Sequence, residues 1–367
     1  MIGRLFRVSV FGESHGVGVG SLVEGAPPGI PVDEDYINRE LARRRPGGRL
    51  ASPRKEEDRA TIFSGVFEGY TTGAPIAILI HNRDVDSSFY ERIRWKPRPG
   101  HADYVAWVKY YGYHDYRGGG IFSGRRTAAL VAAGAVAKRL LAMHGVRVYS
   151  YVVNIGGVEA RVEPRDSEEF REAIDGSPVR CPDPVASREM ESTISRAREE
   201  GDSVGSIVET TVFGAPVGLG EPPLDTLDSD IAKAVLSLPG AKGIEFGAGF
   251  RLALMRGSEA NDQLALRGGR VVTLSNNAGG ISGGVSNGMP IVFRTVFKPP
   301  STIRKAQRTV DLRSMEETTI EGGGRHDPVI GPRAAPVLEA ITSIVIADHL
   351  LRWASWKGLG LRRREEA

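Results

Sequence analysis

Hydrophobic and polar positions follow two different periods along this chain, and each period predicts one kind of element. Runs in which apolar residues alternate with polar ones, or stand together between turn residues, are typical of strands. Segments whose apolar residues recur every three to four positions are typical of helices. The pattern predicts strands at 5–11, 16–23, 74–80, 146–155, 204–213, 271–274 and 290–297, and helices at 34–45, 127–144, 187–200, 228–238 and 332–353.

The predicted helices 127–144 and 332–353 are apolar almost all round. A helix of this kind has no polar face for water, so we expect both to be buried between other layers. Several predicted strands follow one another directly, which favours antiparallel sheets in an α+β fold over a doubly wound parallel sheet. No linker or fixed repeat divides the sequence, so we expect a single domain over 1–367, with its core at about 3–353 and a charged tail at 354–367.

The composition excludes several classes of protein. Hydrophobic residues make up 41% and charged residues 25% of the chain, as in soluble globular proteins. A single cysteine, Cys181, and seven histidines without paired spacing predict neither a disulfide framework nor a metal site. The net charge of +3 is too small to indicate nucleic acid. The longest run of small apolar residues, 128–137, is far shorter than the roughly 20 residues of a membrane span, and the N-terminus lacks the pattern of a signal peptide, so we expect a cytoplasmic protein with no membrane partner.

Glycine and arginine are both over-represented. Glycine accounts for 46 of 367 residues and is clustered in short islands, which indicates shaped loops. Only nine of the 48 basic residues are lysine. Arginine presents a rigid fork of donors that suits phosphates and carboxylates, so the bias fits an anionic ligand. A GC-rich genome would produce the same bias.

The strongest candidate for an anion site is the segment 116–126, in which three consecutive glycines are followed by a serine and then by two adjacent arginines at the start of the predicted helix 127–144. Bare backbone N–H groups, the positive end of a helix and guanidinium groups all favour a negative ligand there. The Gly-Lys-Ser/Thr ending of a nucleotide-binding P-loop is absent. We prefer an anion site to a simple hairpin tip, because a tip seldom carries this much arginine.

Four further segments leave two interpretations open. The turn 12–16 places a serine and a histidine between glycines, and 43–49 carries four arginines at the end of a predicted helix. The segment 298–302 joins a lysine to hydroxyl groups, and 322–328 places an acid beside two cations. Each of these suits an anionic ligand, but each is equally consistent with an ordinary turn, a solvated helix end or a local ion pair.

Six motifs together closely resemble those of the chorismate synthase family. The resemblance extends over nearly the whole chain and implies helices sandwiched between two antiparallel β-sheets, assembled as a homotetramer. The motifs stand in the family's order: FGESHG at 11–16, RRRPGG at 43–48, RPGHADY at 98–104, DYRGGG at 115–120, GGISGG at 279–284 and GRHDP at 324–328.

The resemblance also implies a reaction. 5-Enolpyruvylshikimate 3-phosphate would lose phosphate and a ring hydrogen in an anti 1,4-elimination that gives chorismate, the last step of the shikimate pathway. Reduced FMN is the implied cofactor, although the reaction has no net redox change. The sequence has no appended reductase domain, so we expect reduced FMN from a separate flavin reductase or another source, with NADPH only as an external reductant.

Individual roles are implied by the matching positions of the family's motifs. His15 would protonate the departing phosphate, His101 would stabilise negative charge on reduced flavin, and Asp327 would take a proton relayed through the flavin. Binding of substrate or nicotinamide is implied for Arg44, Arg49, Arg125 and Arg325. Flavin contacts are implied for Ile121, Phe122, Ser123, Pro239, Gly240, Gly283, Lys298, Pro299, Pro300, Ser301, Thr302 and Arg325.

One position departs from the family, and two other functions remain open. Many members have Arg-Ser-Ser or Arg-Ala-Ser where this chain has Ile-Phe-Ser at 121–123, which removes a cation from the implied flavin edge. A regulatory protein that binds RNA or a phosphometabolite would not require the acid Asp327 beside His15 and His101. A flavin-linked dehydrogenase would instead consume nicotinamide in step with product.

Overall fold

Two antiparallel sheets lie on opposite sides of a layer of helices in the computed structural model, which describes residues 1–45, 57–83, 85–323 and 327–359. The strands are β1 (Arg7–Gly12), β2 (Gly18–Glu24), β3 (Ala60–Ile62), β4 (Val66–Phe67), β5 (Tyr70–Thr71), β6 (Ile76–His81), β7 (Arg147–Ile155), β8 (Val158–Glu159), β9 (Ser206–Phe213), β10 (Ala241–Phe246), β11 (Leu264–Arg267), β12 (Arg270–Thr273), β13 (Ile281–Ser282), β14 (Val285–Ser286), β15 (Ile291–Phe297), β16 (Ala306–Asp311) and β17 (Glu316–Glu321).

The helices form the middle layer and the edges of the molecule. They are α1 (Glu34–Arg44), α2 (Ser88–Ile93), α3 (Asp103–Lys109), α4 (Thr127–Ala142), α5 (Glu168–Gly176), α6 (Pro184–Glu199), α7 (Leu227–Leu236), α8 (Gly257–Ala260) and α9 (Gly331–Gly358). Short 3₁₀ segments occur at Arg117–Phe122, Gly124–Arg126 and Gly249–Leu254.

The predicted α+β class with two antiparallel sheets is confirmed by the strand order. One sheet has four strands in the order β1-β2-β6-β3, and the other has five in the order β10-β15-β9-β7-β8. Neighbouring strands in both sheets are antiparallel. The other strands pair as the ribbons β4–β5, β11–β12, β13–β14 and β16–β17.

Each element predicted from periodicity is present, although its ends differ by a few residues. Helix α6 begins at Pro184 and not at 187, because the Asp183 carboxylate accepts hydrogen bonds from the next N–H groups and caps the helix there. Helix α9 continues beyond the predicted end at 353 to Gly358. The short helices α2 and α3 and the largely polar ribbon β16–β17 were missed, since they lack a sustained hydrophobic period.

Helices α4 and α9 pack against each other between the two sheets. Helix α4 also contacts β2 and β6 of one sheet, and α9 contacts β7 and β9 of the other. The close approach requires glycine at 134, because a Cβ there would lie 2.4 Å from the Cβ of Ala340. The apolar stretch of α9 has the length and composition of a membrane span, but 94% of it is buried inside the protein, as in the core helix of a soluble protein.

A buried carboxylate joins five elements of this core. Glu339, in α9, has no exposed surface. Its oxygens accept hydrogen bonds from Arg43 at 2.6 and 2.9 Å, from Lys138 at 2.8 Å and from Arg171 at 2.5 Å. The backbone N–H of Ser150, in β7, donates to it at 3.1 Å. Burial alone would raise the pKa of Glu339, but the three cations outweigh burial and hold this pKa well below its usual range.

We expect Glu339→Ala to lower the free energy of unfolding by roughly 3–5 kcal/mol, because the buried cations lose the carboxylate that compensates them. Denaturant unfolding followed by circular dichroism measures the loss. The control is Glu317→Ala: Glu317 pairs with Arg308 at a position whose side chain is 78% exposed, and its removal should cost under about 1 kcal/mol. If the two variants lose equal amounts of unfolding free energy, the buried Glu339 cluster stabilises the protein no more than an exposed ion pair does.

Candidate active site

A cavity of about 1140 Å³ opens beside the N-terminal ends of α4 and α9. Its wall is built from the loop before α3, the loop and 3₁₀ turns before α4, the segments 236–242 and 297–302, and the first turns of α9. In the part of the chain that the structure describes, no three His, Cys, Asp or Glu side chains are grouped to hold a metal ion. The wall segments bring several separate sequence motifs together in this one cavity.

The glycine loop before α4 turns tightly against a histidine. Residues 118–120 have φ values of 60°, 86° and 51°, a region that residues with a side chain rarely adopt. A Cβ on Gly118 would lie 2.3 Å from Cδ2 and 2.5 Å from Nε2 of His15. Arg126 supports the same loop, since its Nη1 donates to the carbonyl oxygen of Ile121 at 2.8 Å. Glycine at 118 is therefore required for the loop to approach the His15 ring.

Two arginines share one buried carboxylate at the cavity wall. Nη1 of Arg44 donates to Oδ2 of Asp58 at 3.2 Å, and Nη1 of Arg125 donates to Oδ1 of the same residue. Arg44 also donates to Oγ1 of Thr127 at 2.9 Å, and Nε of Arg125 donates to Oδ1 of Asn82 at 2.8 Å. Because two guanidinium groups face one carboxylate, this trio keeps a net positive charge beside the cavity.

A second polar group of the wall surrounds Lys298. Its Nζ donates to the carbonyl oxygen of Gly100 at 2.6 Å, and Nε2 of the neighbouring His101 lies 2.7 Å from Oγ1 of Thr302. Partial burial lowers the pKa of Lys298, and the charge of Lys242, also in the wall, lowers it further. An anionic ligand beside Lys298 would therefore stabilise its charged form.

A carboxylate and a guanidinium group lie together at the start of α9. Asp327 and Arg333 both line the cavity and form an ion pair at 2.7 Å. Arg333 also donates to the carbonyl oxygen of Arg44 at 3.3 Å. Sequence reasoning missed Arg333. The signal that could have found it is its position, because a cation in the first turn of an apolar helix opposes the helix dipole and needs a partner or a function.

His15 lies behind the glycine loop and is not part of the cavity wall itself. Its Nδ1 lies 2.8 Å from Oγ of Ser87, and its ring packs edge-on against Tyr90 at 5.1 Å between centroids. The Cδ2–Nε2 edge of the ring faces Gly118, which does line the cavity. One glycine therefore separates His15 from the cavity.

The structure brings most of the predicted site residues to one cavity. Those in its wall are Arg44, His101, Ile121, Phe122, Ser123, Arg125, Pro239, Gly240, Lys298, Pro300, Ser301, Thr302 and Asp327. Pro299 and Gly283 do not line it, and Gly283 lies in the turn of the ribbon β13–β14. Arg49 and Arg325 lie outside the described residues.

A sequence model of the chorismate synthase family matches residues 6–351. The chorismate synthase of Aeropyrum pernix is 66% identical over 95% of this chain and 92% of its own. That of Thermococcus kodakarensis is 52% identical over 98% of this chain and 99% of its own. The chain belongs to the chorismate synthase family.

The fold agrees with this membership. A crystal structure of a chorismate synthase superposes with a TM-score of 0.77 at 34% identity, covering 96% of this chain and 93% of that one. The resemblance inferred from the six motifs is thereby confirmed, and the chain is a carbon–oxygen lyase acting on phosphates, the chorismate synthase class.

Arg43 and Arg44 are adjacent but serve different parts of the molecule, since only Arg44 lines the cavity. We expect Arg44→Ala to raise the dissociation constant of the phosphate-ester substrate by roughly tenfold or more, the scale of one charged hydrogen bond. We expect the same for Arg49→Ala. Arg43→Ala should lower stability but change the dissociation constant less than about threefold. Calorimetric titration at low and high salt measures these constants.

The opposite result has a clear physical meaning. If Arg43→Ala, Arg44→Ala and Arg49→Ala all weaken binding slightly and equally, and the losses disappear at high ionic strength, the run attracts the substrate only at long range. In that case Arg44 and Arg49 do not contact the ligand.

Proposed function

We propose that this chain converts 5-enolpyruvylshikimate 3-phosphate to chorismate by anti 1,4-elimination of phosphate, with reduced FMN bound beside the substrate. The observation that carries the proposal is the meeting, in one cavity, of clustered cations with the carboxylate of Asp327, which is held by Arg333. The family membership of the chain supports it.

The substrate carries two carboxylates and a phosphate, which suits the cationic wall. Arg44 and Arg125 are held in place by Asp58, so little side-chain entropy remains to be lost when they bind an anion. Guanidinium groups also match carboxylate and phosphate oxygens in pairs. As phosphate departs, negative charge grows on its oxygens, and positioned cations stabilise that charge.

The donor set also fits FMN. A cavity for one drug-sized ligand occupies about 300–1,000 Å³, and this cavity of about 1140 Å³ leaves room for a second, smaller ligand. Lys298, Ser301 and Thr302 would hold the anionic groups of FMN, and His101 would stabilise its reduced ring. When bound in reduced form, FMN would supply electron density to the reacting substrate and recover it, so that no net redox change results.

Two residues would handle the protons. His15 would donate from its imidazole to an oxygen of the departing phosphate, the role that its place in the family motif implies; its Cδ2–Nε2 edge lies next to Gly118, which lines the cavity, so proton transfer would require the ligand or the loop to bring the two together. Asp327 would be the final acceptor of the ring hydrogen that the substrate loses as a proton. Its ion pair with Arg333 keeps the carboxylate oriented. Positioned groups of this kind are general acids and bases.

The remaining expectations concern the setting of the enzyme. We infer a single catalytic domain, a cytoplasmic location, and reduced FMN from a separate flavin reductase or another source. The family resemblance implies a homotetramer, and the ribbon β11–β12, where Leu264, Leu266 and Val271 lie on one face and are more than 60% exposed, offers a surface for a contact between subunits. Exposed apolar faces of this kind mark contacts between proteins.

An anaerobic assay tests the function directly. We expect chorismate to form only when reduced FMN is present, without consumption of nicotinamide per turnover. The cationic wall should also favour the anionic reduced ring, so reduced FMN with substrate should bind at least about tenfold more tightly than oxidised FMN. Flavin fluorescence and absorbance titrations measure both affinities. Nicotinamide consumed in step with product would indicate a dehydrogenase, and tight ligand binding without product would indicate an anion-binding protein.

We expect His15→Ala and Asp327→Asn each to lower the single-turnover rate by roughly 10²–10⁴-fold, the usual contribution of a positioned proton donor or acceptor. Stopped-flow absorbance of chorismate formation measures the rate. His144→Ala is the control, because His144 contacts only the carbonyl oxygen of Leu140 among the described residues and lies away from the cavity. A near-normal rate and pH profile in His15→Ala would remove His15 from the proton-donor role.

A further inference from the structure

Asn82 occupies the junction between the His15 turn and Arg125. It is the first residue after β6, and its backbone N–H donates to the carbonyl oxygen of Val17 at 3.0 Å. Its side-chain Nδ2 donates to the carbonyl oxygens of Glu13 and Gly16, each at 2.9 Å. These two carbonyl groups bracket His15 on both sides.

The chemistry of the partners fixes which way the Asn82 amide points. A guanidinium group has donors only, so the atom that faces Nε of Arg125 at 2.8 Å must be the acceptor Oδ1. Backbone carbonyl groups have acceptors only, so the atom that faces the turn must be the donor Nδ2. Asparagine is therefore chemically required, since aspartate cannot donate and a hydroxyl is too short to span both sides.

The turn that carries His15 is only weakly closed by its own backbone. Its internal hydrogen bond, from the N–H of Gly16 to the carbonyl oxygen of Glu13, is 3.3 Å long. The two 2.9 Å bonds from Asn82 are shorter. On the other side, Arg125 is anchored by Asp58, whose side chain is 1% exposed. Asn82 thus connects a loosely closed turn to a firmly held cation.

We propose that Asn82 is a positioning residue that locks the His15 turn to Arg125, so that the proton donor and the substrate-binding cation act as one unit. The inference rests on the proposed function, in which both residues serve the same departing phosphate. It predicts that Asn82 affects the chemical step through His15 and affects substrate binding through Arg125.

The variants are Asn82→Ala, which removes both contacts, and Asn82→Asp, which keeps an acceptor for Arg125 but loses both donations to the turn. The matched control is Asn277→Ala, because Nδ2 of Asn277 donates to the carbonyl oxygens of Glu259 and Ala260, each at 3.2 Å, outside the cavity wall. If Asn82→Ala fails to fold, Asn82→Asp carries the test.

We expect both Asn82 variants to lower the single-turnover rate by roughly 10–100-fold, since a displacement of about 1 Å in a reacting group can cost 10²-fold. Amide hydrogen exchange at 14–16 should become at least about tenfold faster in the ligand-free protein. Asn277→Ala should change neither quantity by more than about twofold.

A double-mutant cycle separates positioning from general damage. In a His15→Ala background, either Asn82 variant should lower the remaining rate less than about threefold, because its target is already absent. In an Arg125→Ala background, Asn82→Ala should no longer weaken substrate binding. Losses that carry over unchanged into both backgrounds, or unchanged exchange at 14–16, would overturn the proposal. If the unmodified enzyme forms no chorismate, the proposed function fails, and the exchange measurement still decides whether Asn82 holds the turn.

Discussion

The buried carboxylate of Glu339 is the interaction on which the arrangement of this molecule depends. It lies in the buried part of α9, where it is the one charged residue between Ala334 and Ala347 and where an unpaired charge would cost several kcal/mol. Its partners come from α1, α4 and α5, so three cations from three helices converge on one carboxylate of α9. Arg43 is thereby turned toward the core. The next residue along α1, Arg44, points about 100° away around the helix, which directs it to the cavity.

Carboxylates also fix cationic side chains at the wall of the cavity. Asp58 holds Arg44 and Arg125, and Asp103 holds Arg98 through both carboxylate oxygens. Each pairing lowers the net charge available to an anion, but it also fixes a long side chain before any ligand arrives. If the enzyme stabilises charge on a departing phosphate as proposed, a cation that is already fixed stabilises that charge better than a mobile one. A fixed side chain does not have to be reoriented during the reaction, because folding has already placed it.

The sequence was sufficient to predict features that are local in the chain. The apolar composition of α4 and α9 indicated two buried helices, and the glycines, serine and arginines before α4 indicated an anion site. The contacts of Asn82 and Asp58 were not predictable in this way. They depend on the pairing of β6 with β2 and on the position of α1 beside α4, which join residues far apart in the chain. The ion pair of Arg43 with Glu339 could not be predicted either, since the two residues are nearly three hundred positions apart in the chain.

The apolar pair Ile121 and Phe122 shows how a departure from the family pattern can be accommodated. Arg126 donates a hydrogen bond to the carbonyl oxygen of Ile121. This bond holds the backbone in place and does not depend on which side chain is present at 121. On the cavity side, the ring of Phe122 lies 6.3 Å from that of Tyr110. The wall therefore offers aliphatic surface at 121 and flat aromatic surface at 122. If reduced FMN binds as proposed, its planar ring could pack there by its face, and Lys298 and His101 would compensate its charge.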